Sequence, residues 1–186
     1  MKKKDLKILI AGEGGQGVQT VAEVLAQAAF WEGFWVSYIP NFGVEQRGGV
    51  SLAFVVIDKE KMPVFPKFDT ADIIVVLCQR AVPRIKRYIG KNTIFIYEKS
   101  MVDSKRGIGL DLIKIAKEKL NLRVFNMIVL GILLNFVKIS QKNIEKTLID
   151  VLGVKFKKNK DLKELNLKAI NLGKSLLEDK NEKLAV

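Results

Sequence analysis

The first 100 residues contain short apolar runs, each followed by glycine, proline or polar residues. Runs of this length, rich in β-branched residues, are typical of strands that are buried on both faces of a sheet. They predict five strands, at residues 6–11, 34–40, 50–57, 72–78 and 93–97. Between the first two strands, apolar residues recur at spacings of three and four. That periodicity predicts a helix from Gln16 to about Trp31, which Gly33 ends.

The second half of the chain is patterned mainly for helices. The predicted helices span residues 79–88, 111–120, 126–137, 140–152 and 161–177. We expect Ser140 and Asp161 to cap the last two helices and Gly153 to stop the first of that pair. The helix at 126–137 is apolar over most of its surface, which predicts burial on more than one side.

Strands that alternate with helices and are followed by helices alone predict the α/β class. We expect a Rossmann-like, mostly parallel sheet with helices on both faces and a helical C-terminal region over about residues 108–180. Because no long linker divides the chain, the sequence predicts one domain over residues 1–186. The longest apolar stretch, at 127–137, is too short to span a bilayer, so we expect no membrane association and a cytoplasmic location.

The first predicted strand ends in a glycine-rich turn, Gly12-Glu13-Gly14-Gly15-Gln16-Gly17. The turn fits the pattern G-x-G-x-x-G, follows a strand and opens a helix. Glycines let the backbone approach an anion closely, and the helix N-terminus supplies unpaired N–H groups. The alternative is a tight strand-to-helix connection that binds nothing.

Two well-known nucleotide sites do not fit this turn. A dinucleotide site usually has an acidic residue at the end of the second strand, where this chain has Pro40 and Asn41, so NAD binding is disfavoured. No Lys-Ser or Lys-Thr pair follows the glycines, which excludes a P-loop nucleotide hydrolase. A phosphorylated ligand of another kind remains open.

A second glycine-containing loop follows the second predicted strand. It carries Glu45, Gln46 and Arg47 directly before Gly48 and Gly49. An arginine can hold a phosphate or a carboxylate in bidentate fashion. Because we expect strands one and two to end side by side, the two glycine segments should form one site. The alternative is a flexible loop in which Glu45 and Arg47 pair with each other.

The chain has no histidine and a single cysteine, Cys78. An iron–sulfur cluster takes about four thiolates, and a zinc site usually uses cysteine or histidine, so this chain can hold neither by itself. Cys78 ends a predicted strand and is interpreted as a small buried apolar residue. No nucleophile–base pair stands out, so the sequence predicts no catalytic residue and no metal ligand.

The net charge is +12, and the excess is greater toward the C-terminus, notably at residues 155–160. A basic surface can attract nucleic acid, an anionic ligand or an acidic protein. The alternative is a lysine-rich surface of the kind common in heat-adapted proteins. Nucleic-acid binding is not expected, because the basic residues do not alternate with aromatic residues and no DNA- or RNA-binding motif is present.

Five segments of the sequence resemble one protein family. AGEGGQGV, NFGVEQRGGVS, ADIIVVL, NMIVLG and ELNLKAI follow one another in the order found in the gamma subunit of 2-oxoacid:ferredoxin oxidoreductases. The resemblance extends from about Leu6 to Leu176. The family pattern is usually EARGG, where this chain has Glu-Gln-Arg-Gly-Gly at 45–49. The beta subunit of indolepyruvate oxidoreductase is similar too and often has QRGG.

The resemblance implies a reaction that the chain takes part in but does not perform alone. That reaction is the oxidative decarboxylation of a 2-oxoacid with coenzyme A, which gives an acyl-CoA, carbon dioxide and reduced ferredoxin. Overall similarity slightly favours 2-oxoglutarate over pyruvate, branched-chain and aryl substrates. The implied partners are alpha and beta subunits, with a delta subunit as a further candidate, and ferredoxin reached through the complex. Thiamine diphosphate, magnesium and iron–sulfur clusters would be held by those partner subunits.

The resemblance also implies a set of residues that face coenzyme A or the subunit junction. They are Gly12, Gly14, Gly15, Gln16, Gly17, Asn41, Glu45, Arg47, Gly48, Gly49 and Asn126. The remaining alternatives are a free-standing Rossmann-like nucleotide-binding protein, an indolepyruvate oxidoreductase subunit and a scaffold that contacts no ligand.

Overall fold

The structure is a computed structural model that describes residues 5–42, 48–63, 67–159 and 161–184. Over these residues the chain forms six strands and six α-helices. The strands are β1 (Asp5–Glu13), β2 (Trp35–Phe42), β3 (Val50–Asp58), β4 (Ala71–Val76), β5 (Ile89–Glu98) and β6 (Ile108–Leu110). The helices are α1 (Val18–Trp31), α2 (Val82–Ile85), α3 (Leu112–Lys119), α4 (Phe125–Leu133), α5 (Gln141–Lys158) and α6 (Asp161–Leu184).

The strands form one sheet in the order β2-β3-β1-β4-β5-β6. β1, β4, β5 and β6 pair in parallel, whereas β3 is antiparallel to both of its neighbours. All of the described strands except β3 therefore run in one direction, which confirms the predicted mostly parallel α/β sheet.

The expected adjacency of the first two strands is wrong. β2 and β3 form a hairpin, and β3 enters the sheet between β2 and β1. β2 therefore lies at the edge. The antiparallel hairpin needs only a short connection, whereas two adjacent parallel strands need a crossover.

One face of the sheet carries the thicker helical layer. β1 contributes Ile8 and Ile10 to a core that continues through α1, α4 and α6. In α4, Phe125 and every residue from Met127 to Leu133 are buried. This confirms the predicted burial of the apolar helix on more than one side, because α4 lies between α1 and α6.

The opposite face has a thinner cover. Leu9, Ala11 and Ile74 point to this side and pack under the segment 79–88, which consists of α2 between two short 3₁₀ turns. Phe54 forms edge-to-face contacts with Phe68 and Tyr88, at centroid distances of 5.5 and 5.3 Å. Both faces thus carry helix, as expected, but in unequal amounts.

Several predicted element boundaries are wrong. β5 begins at Ile89, and β6 was not predicted, because three residues are too few to show a periodicity. α5 continues through Gly153 to Lys158, since an interior glycine costs a helix only about 1 kcal/mol. Asp161 is the first residue of α6 rather than its cap, and α6 reaches Leu184.

Ser140 stands at the predicted N-cap of α5, but its side chain does not cap the helix. Instead, Glu32 at the end of α1 binds Ser140 and Asn143. Its Oε2 accepts hydrogen bonds from the Ser140 N–H, the Ser140 hydroxyl and the Asn143 amide, at 2.8, 2.8 and 2.7 Å. One carboxylate thus joins the end of α1 to the start of α5.

Candidate binding site at the carboxyl edge of the sheet

The glycine turn folds as a strand, a tight turn and a helix. A Cβ on Gly12 would lie 2.6 Å from Gln16 Oε1 and 2.9 Å from Val18 Cγ2, so a larger residue would have to displace these side chains. Gly17 begins α1 with a φ of 76°, in the left-handed region that favours glycine, and it gives the helix no side-chain cap. Among the described residues, the first N–H groups of α1 therefore receive no side-chain cap.

Gln16 closes the turn from within. Its Oε1 accepts a hydrogen bond from the Glu13 N–H at 2.8 Å, and its Nε2 donates to the Leu77 carbonyl at 3.1 Å. The side-chain amide therefore ties the end of β1 to the residue that follows β4. In this structure Gln16 shapes the site, and both ends of its amide are engaged inside the chain.

Gly14 and Gly15 form the exposed tip of the turn. Gly15 has a φ of 98°, and no atom lies within 4 Å of the position that a Cβ would take. The Gly14 N–H donates to the Gly49 carbonyl at 3.0 Å. The tip thus combines open space with direct contact to the second glycine segment.

The structure brings the two glycine segments together by a route that differs from the expected one. β3 runs antiparallel to β1, and Glu13 lies opposite Val50, so the residues just before β3 reach the glycine turn. Gly48 and Gly49 are among the residues that the structure describes, and Gly48 has a φ of 72°. Glu45, Gln46 and Arg47 lie outside the described residues. Asn41 lies on the edge strand, opposite Leu52 and on the far side of β3 from the turn.

Asn126, in the first turn of α4, packs against the glycine turn at Gly17. A Cβ on Gly17 would lie 2.6 Å from Asn126 Nδ2 and 2.9 Å from its Cβ. The first turn of α4 thus packs directly on the start of α1. Asn126 is half-buried, and at this site it lies against Gly17.

Arg80 is a site residue that sequence reasoning missed. Its Nη1 donates to the Gly48 carbonyl at 2.7 Å and lies 3.7 Å from Glu13 Oε1, while 61% of the side chain stays exposed. Arg80 follows β4, the strand beside β1. A search for polar residues just after each predicted parallel strand would have found it, because those strand ends share one edge of the sheet.

A pocket of about 560 Å³ lies beside Arg80, at the carboxyl ends of β4 and β5. Its lining residues include Gln79, Tyr97, Lys99 and Asp103. The Gln79 Oε1 accepts from the Asp103 N–H at 2.9 Å, and the Tyr97 hydroxyl donates to the Ser104 carbonyl at 2.9 Å. The sequence did not predict this pocket either, because most of its lining belongs to the loop between β5 and the unpredicted β6.

A buried carboxylate fixes that loop. Glu98 is fully buried at the end of β5. Its Oε1 accepts from the Ser100 N–H at 3.1 Å, and its Oε2 accepts from the Ile113 N–H in the first turn of α3, also at 3.1 Å. The carboxylate therefore satisfies backbone donors on both sides of β6 and acts as a structural anchor.

Cys78 is buried, as predicted, with 1% of its surface exposed. Burial raises the pKa of its thiol, so the group stays protonated at neutral pH and is a poor nucleophile. Within the described ranges, no cluster of three or more Cys, Asp or Glu side chains is arranged to hold a metal ion. In the same ranges, no helix is both long enough and apolar enough to cross a bilayer.

The site lies where the strand order reverses. After β1 the chain turns toward β2 and β3, whereas after β4 it turns the other way, toward β5 and β6. Open α/β sheets bind their ligands at such a reversal, outside the carboxyl ends of the strands. The glycine turn of β1 and Arg80 after β4 flank it. The fold is therefore an α/β domain with a mostly parallel sheet, and its candidate site for an anionic ligand lies at the carboxyl edge of that sheet.

Comparison with known proteins identifies the family within this class. The family model described as pyruvate ferredoxin/flavodoxin oxidoreductase matches residues 7–176. The chain therefore belongs to this family, which confirms the resemblance drawn from its motifs.

Two curated relatives and one solved structure show how this domain is distributed. The chain is 35% identical over 136 residues to the ketoisovalerate oxidoreductase subunit VorA of Methanothermobacter marburgensis, covering 70% of this chain and 28% of that one. It is 30% identical over 171 residues to the 2-oxoglutarate synthase subunit KorC of Archaeoglobus fulgidus, covering 91% and 87%.

The solved structure is a 2-oxoglutarate:ferredoxin oxidoreductase from Magnetococcus marinus with 2-oxoglutarate, coenzyme A and succinyl-CoA bound. It matches with a TM-score of 0.82 and 30% identity, over 96% of this chain and 32% of that one. The chain thus spans less than a third of VorA and of the Magnetococcus chain, but most of KorC. A domain of this family occurs both in chains of about this length and within much longer ones.

Proposed function

We propose that this chain is a subunit of a 2-oxoacid:ferredoxin oxidoreductase. The reaction is the decarboxylation and oxidation of a 2-oxoacid in the presence of coenzyme A, and we propose 2-oxoglutarate as the substrate. The match to KorC over most of both chains supports this substrate, as does the similarity to an enzyme whose structure contains 2-oxoglutarate and succinyl-CoA.

In this proposal the chain helps to bind coenzyme A and to assemble the complex, and holds no redox centre. A single, buried cysteine cannot supply the thiolates of an iron–sulfur cluster. In this proposal the clusters therefore belong to partner subunits, and we assign thiamine diphosphate and magnesium to partners as well. The partners are the alpha and beta subunits, with a delta subunit as a candidate. Ferredoxin would receive electrons from those subunits.

One observation carries the coenzyme A proposal. At the reversal of strand order, the exposed tip of the glycine turn contacts Gly49, and the Arg80 guanidinium contacts Gly48. The start of α1, which has no side-chain cap, opens at the same place. Backbone N–H groups, a helix N-terminus and a guanidinium are the groups that bind phosphates. Coenzyme A presents such phosphates.

We assign two roles to the proposed site residues. Gly14, Gly15 and Arg80 would face the ligand, because they are exposed at the edge of the sheet. The half-buried Gly48 and Gly49 would lie beside them, since they accept hydrogen bonds from Arg80 and Gly14. Four other residues shape the turn or touch it from behind; they are Gly12, Gln16, Gly17 and Asn126. Asn41, Glu45 and Arg47 remain proposed members of the site.

The geometry does not favour a free-standing dinucleotide-binding protein. In such proteins an acidic residue at the end of the second strand reaches the ribose beside β1. Here β2 is separated from β1 by β3, so its end lies about 9–10 Å away across two strand spacings. It also carries Pro40 and Asn41 where the acid would stand.

Arg80→Gln tests the proposed function in the assembled enzyme. We expect the KM for coenzyme A to rise about tenfold, because a charge-assisted contact contributes roughly 1.5 kcal/mol. Decarboxylation without coenzyme A should be unchanged. Steady-state kinetics with varied coenzyme A provide the measurement, and thermal unfolding checks that the loss of the Arg80–Gly48 contact leaves the subunit folded.

Lys142→Gln is the matched control, since it removes an exposed charge from the first turn of α5, which Glu32 joins to the end of α1 that is remote from the glycine turn. An unchanged KM for coenzyme A in Arg80→Gln would contradict the binding role. Failure of the chain to purify with other oxidoreductase chains from its native source, together with micromolar binding of NAD, would overturn the proposed function itself.

A further inference from the structure

The arginines of this chain are concentrated on one part of the molecule. The sequence has six arginines and 26 lysines. Four of the six arginines lie in two short segments, 79–91 and 99–107, at positions 80, 84, 87 and 106. The same two segments hold four lysines and a single acidic residue, Asp103. A surface that merely kept the chain soluble would not need arginine in particular, because lysine serves that purpose elsewhere.

The two segments form one continuous surface, which we name the arginine surface. Segment 79–91 follows β4, packs on the thinly covered face of the sheet and includes the first three residues of β5. Segment 99–107 connects β5 to β6. Hydrogen bonds join them at both ends. Gln79 accepts from the Asp103 N–H, and the Arg106 guanidinium donates to the Gly90 carbonyl at 2.7 Å.

In the first segment, buried side chains lie on one side and arginines lie on another. Ala81, Ile85 and Tyr88 are buried against the sheet. The arginines at 80, 84 and 87 precede them with the same spacing, so they follow one side of the segment and are exposed. The surface starts at Arg80, which borders the proposed coenzyme A site, and extends to Arg106 at the amino end of β6.

These charges have few partners inside the chain. Arg80 lies 3.7 Å from Glu13, and Lys99 lies 3.5 Å from Asp111. The other six basic side chains of the surface pair with no carboxylate in the part of the chain that the structure describes. Crowded like charges repel one another, so an acidic surface placed against them would relieve that repulsion as well as pair with them.

We propose that the arginine surface docks an acidic face of a partner subunit of the oxidoreductase. This inference rests on the proposed function, since it takes the partner from that complex. A guanidinium pairs with a carboxylate through two hydrogen bonds, and arginine is enriched at protein interfaces where lysine is depleted. Pro83 and Met101, both exposed, place apolar contacts among the charges. Contact here would close one side of the coenzyme A site.

Two other occupants fit the surface less well. A second copy of this chain brings the same excess of positive charge, with a net charge of +12, and would be repelled. A single-stranded nucleic acid stacks its bases on exposed aromatic rings. The rings available here are Tyr88, which is buried, and Tyr97, whose hydroxyl is bonded to Ser104.

The test reverses charge on the surface without disturbing its internal contacts. Arg84→Glu combined with Lys86→Glu changes two exposed side chains that make no ion pair with another described residue. Lys155→Glu combined with Lys157→Glu on α5 is the matched control, with the same change in net charge on exposed residues. The binding partners are the purified subunits that copurify with the wild-type chain, and affinity is measured over a range of salt concentrations.

We expect the Arg84/Lys86 pair to raise the Kd for the partner subunits by about tenfold or more at low salt and to flatten the salt dependence. The control pair should change the Kd by less than about twofold. Both variants should remain folded in the assay, and the control pair should unfold at a slightly lower temperature, because it places acidic residues in the last turn of α5. Equal weakening by both pairs, or wild-type affinity in the Arg84/Lys86 variant, would overturn the inference while leaving the proposed function intact.

Two further outcomes are separate. If the wild-type chain assembles with no oxidoreductase subunit, the proposed function fails, and the inference fails with it. If a DNA duplex or a single-stranded RNA binds the wild-type chain and is lost in the Arg84/Lys86 variant, while subunit assembly is unchanged, the surface is a nucleic-acid site and the inference is wrong.

Discussion

At the scale of the residue, the buried hydroxyl of Thr147 lowers the stability of the fold. It is fully buried in α5, and its hydroxyl has no hydrogen-bond partner within the described structure. A buried hydroxyl without a partner costs roughly 1–3 kcal/mol. Thr147→Val keeps the shape and removes the hydroxyl, so we expect the free energy of unfolding to rise by about 1 kcal/mol. Chemical denaturation measures it. Thr147→Ser keeps the hydroxyl and loses a methyl group, and it should be destabilising. A loss of stability in Thr147→Val would contradict this account.

Glu32 gives a residue-scale prediction about pH. Hydrogen bonds from the Ser140 N–H, Asn143 and the Ser140 hydroxyl lower the pKa of its carboxyl below the ordinary value of 4.5. The ionised form is thus favoured by folding. The contribution of ionised Glu32 to the free energy of unfolding is complete when the pH is above 4.5, and it is lost as the pH falls through the lowered pKa. Unfolding midpoints measured against pH should differ between wild type and Glu32→Gln at neutral pH and converge in acid. A difference that stayed constant down to strongly acidic pH would argue against it.

At the scale of the element, α4 and α6 cross where each has a glycine. A Cβ on Gly173 would lie 2.1 Å from the Ile128 carbonyl oxygen, and one on Gly131 would lie 2.1 Å from that of Ile170. Gly173→Ala gains about 1 kcal/mol of helix propensity, but overpacking costs about 1–3 kcal/mol and forces the helices apart. We expect a net loss of stability in denaturant unfolding.

Gly153 in α5 provides the opposite case. A Cβ there would meet only Ile149 Cγ2, at 3.9 Å. Gly153→Ala should therefore stabilise the chain by up to about 1 kcal/mol, since nothing opposes the gain in helix propensity. Equal effects of the two alanine substitutions would show that the crossing of α4 and α6 does not depend on its glycines.

At the scale of the whole molecule, the sequence was enough to predict the order of strands and helices but not the path of the sheet. A short apolar run identified β1, apolar periodicity identified α1, and a longer, almost wholly apolar segment identified α4. It could not show that β3 runs antiparallel beside β1, because a strand buried on both faces reads the same in either direction. The glycine turn was predictable from its spacing. Arg80 and the wall around Tyr97 were not, since they depend on which strands are neighbours.

β1 is the strand that carries the glycine turn, and it has a neighbour on each side, β3 and β4. Leu9 and Ile10 within it have no exposed surface. Opening of this strand would require the sheet to separate at its middle, so its backbone should be among the last to exchange its amide hydrogens. Gly14 and Gly15, at the exposed tip of the turn, thus directly follow a rigid strand. A ligand that binds there meets a turn that the bond from the Gly14 N–H to the Gly49 carbonyl already fixes, so little conformational entropy is lost in ordering it.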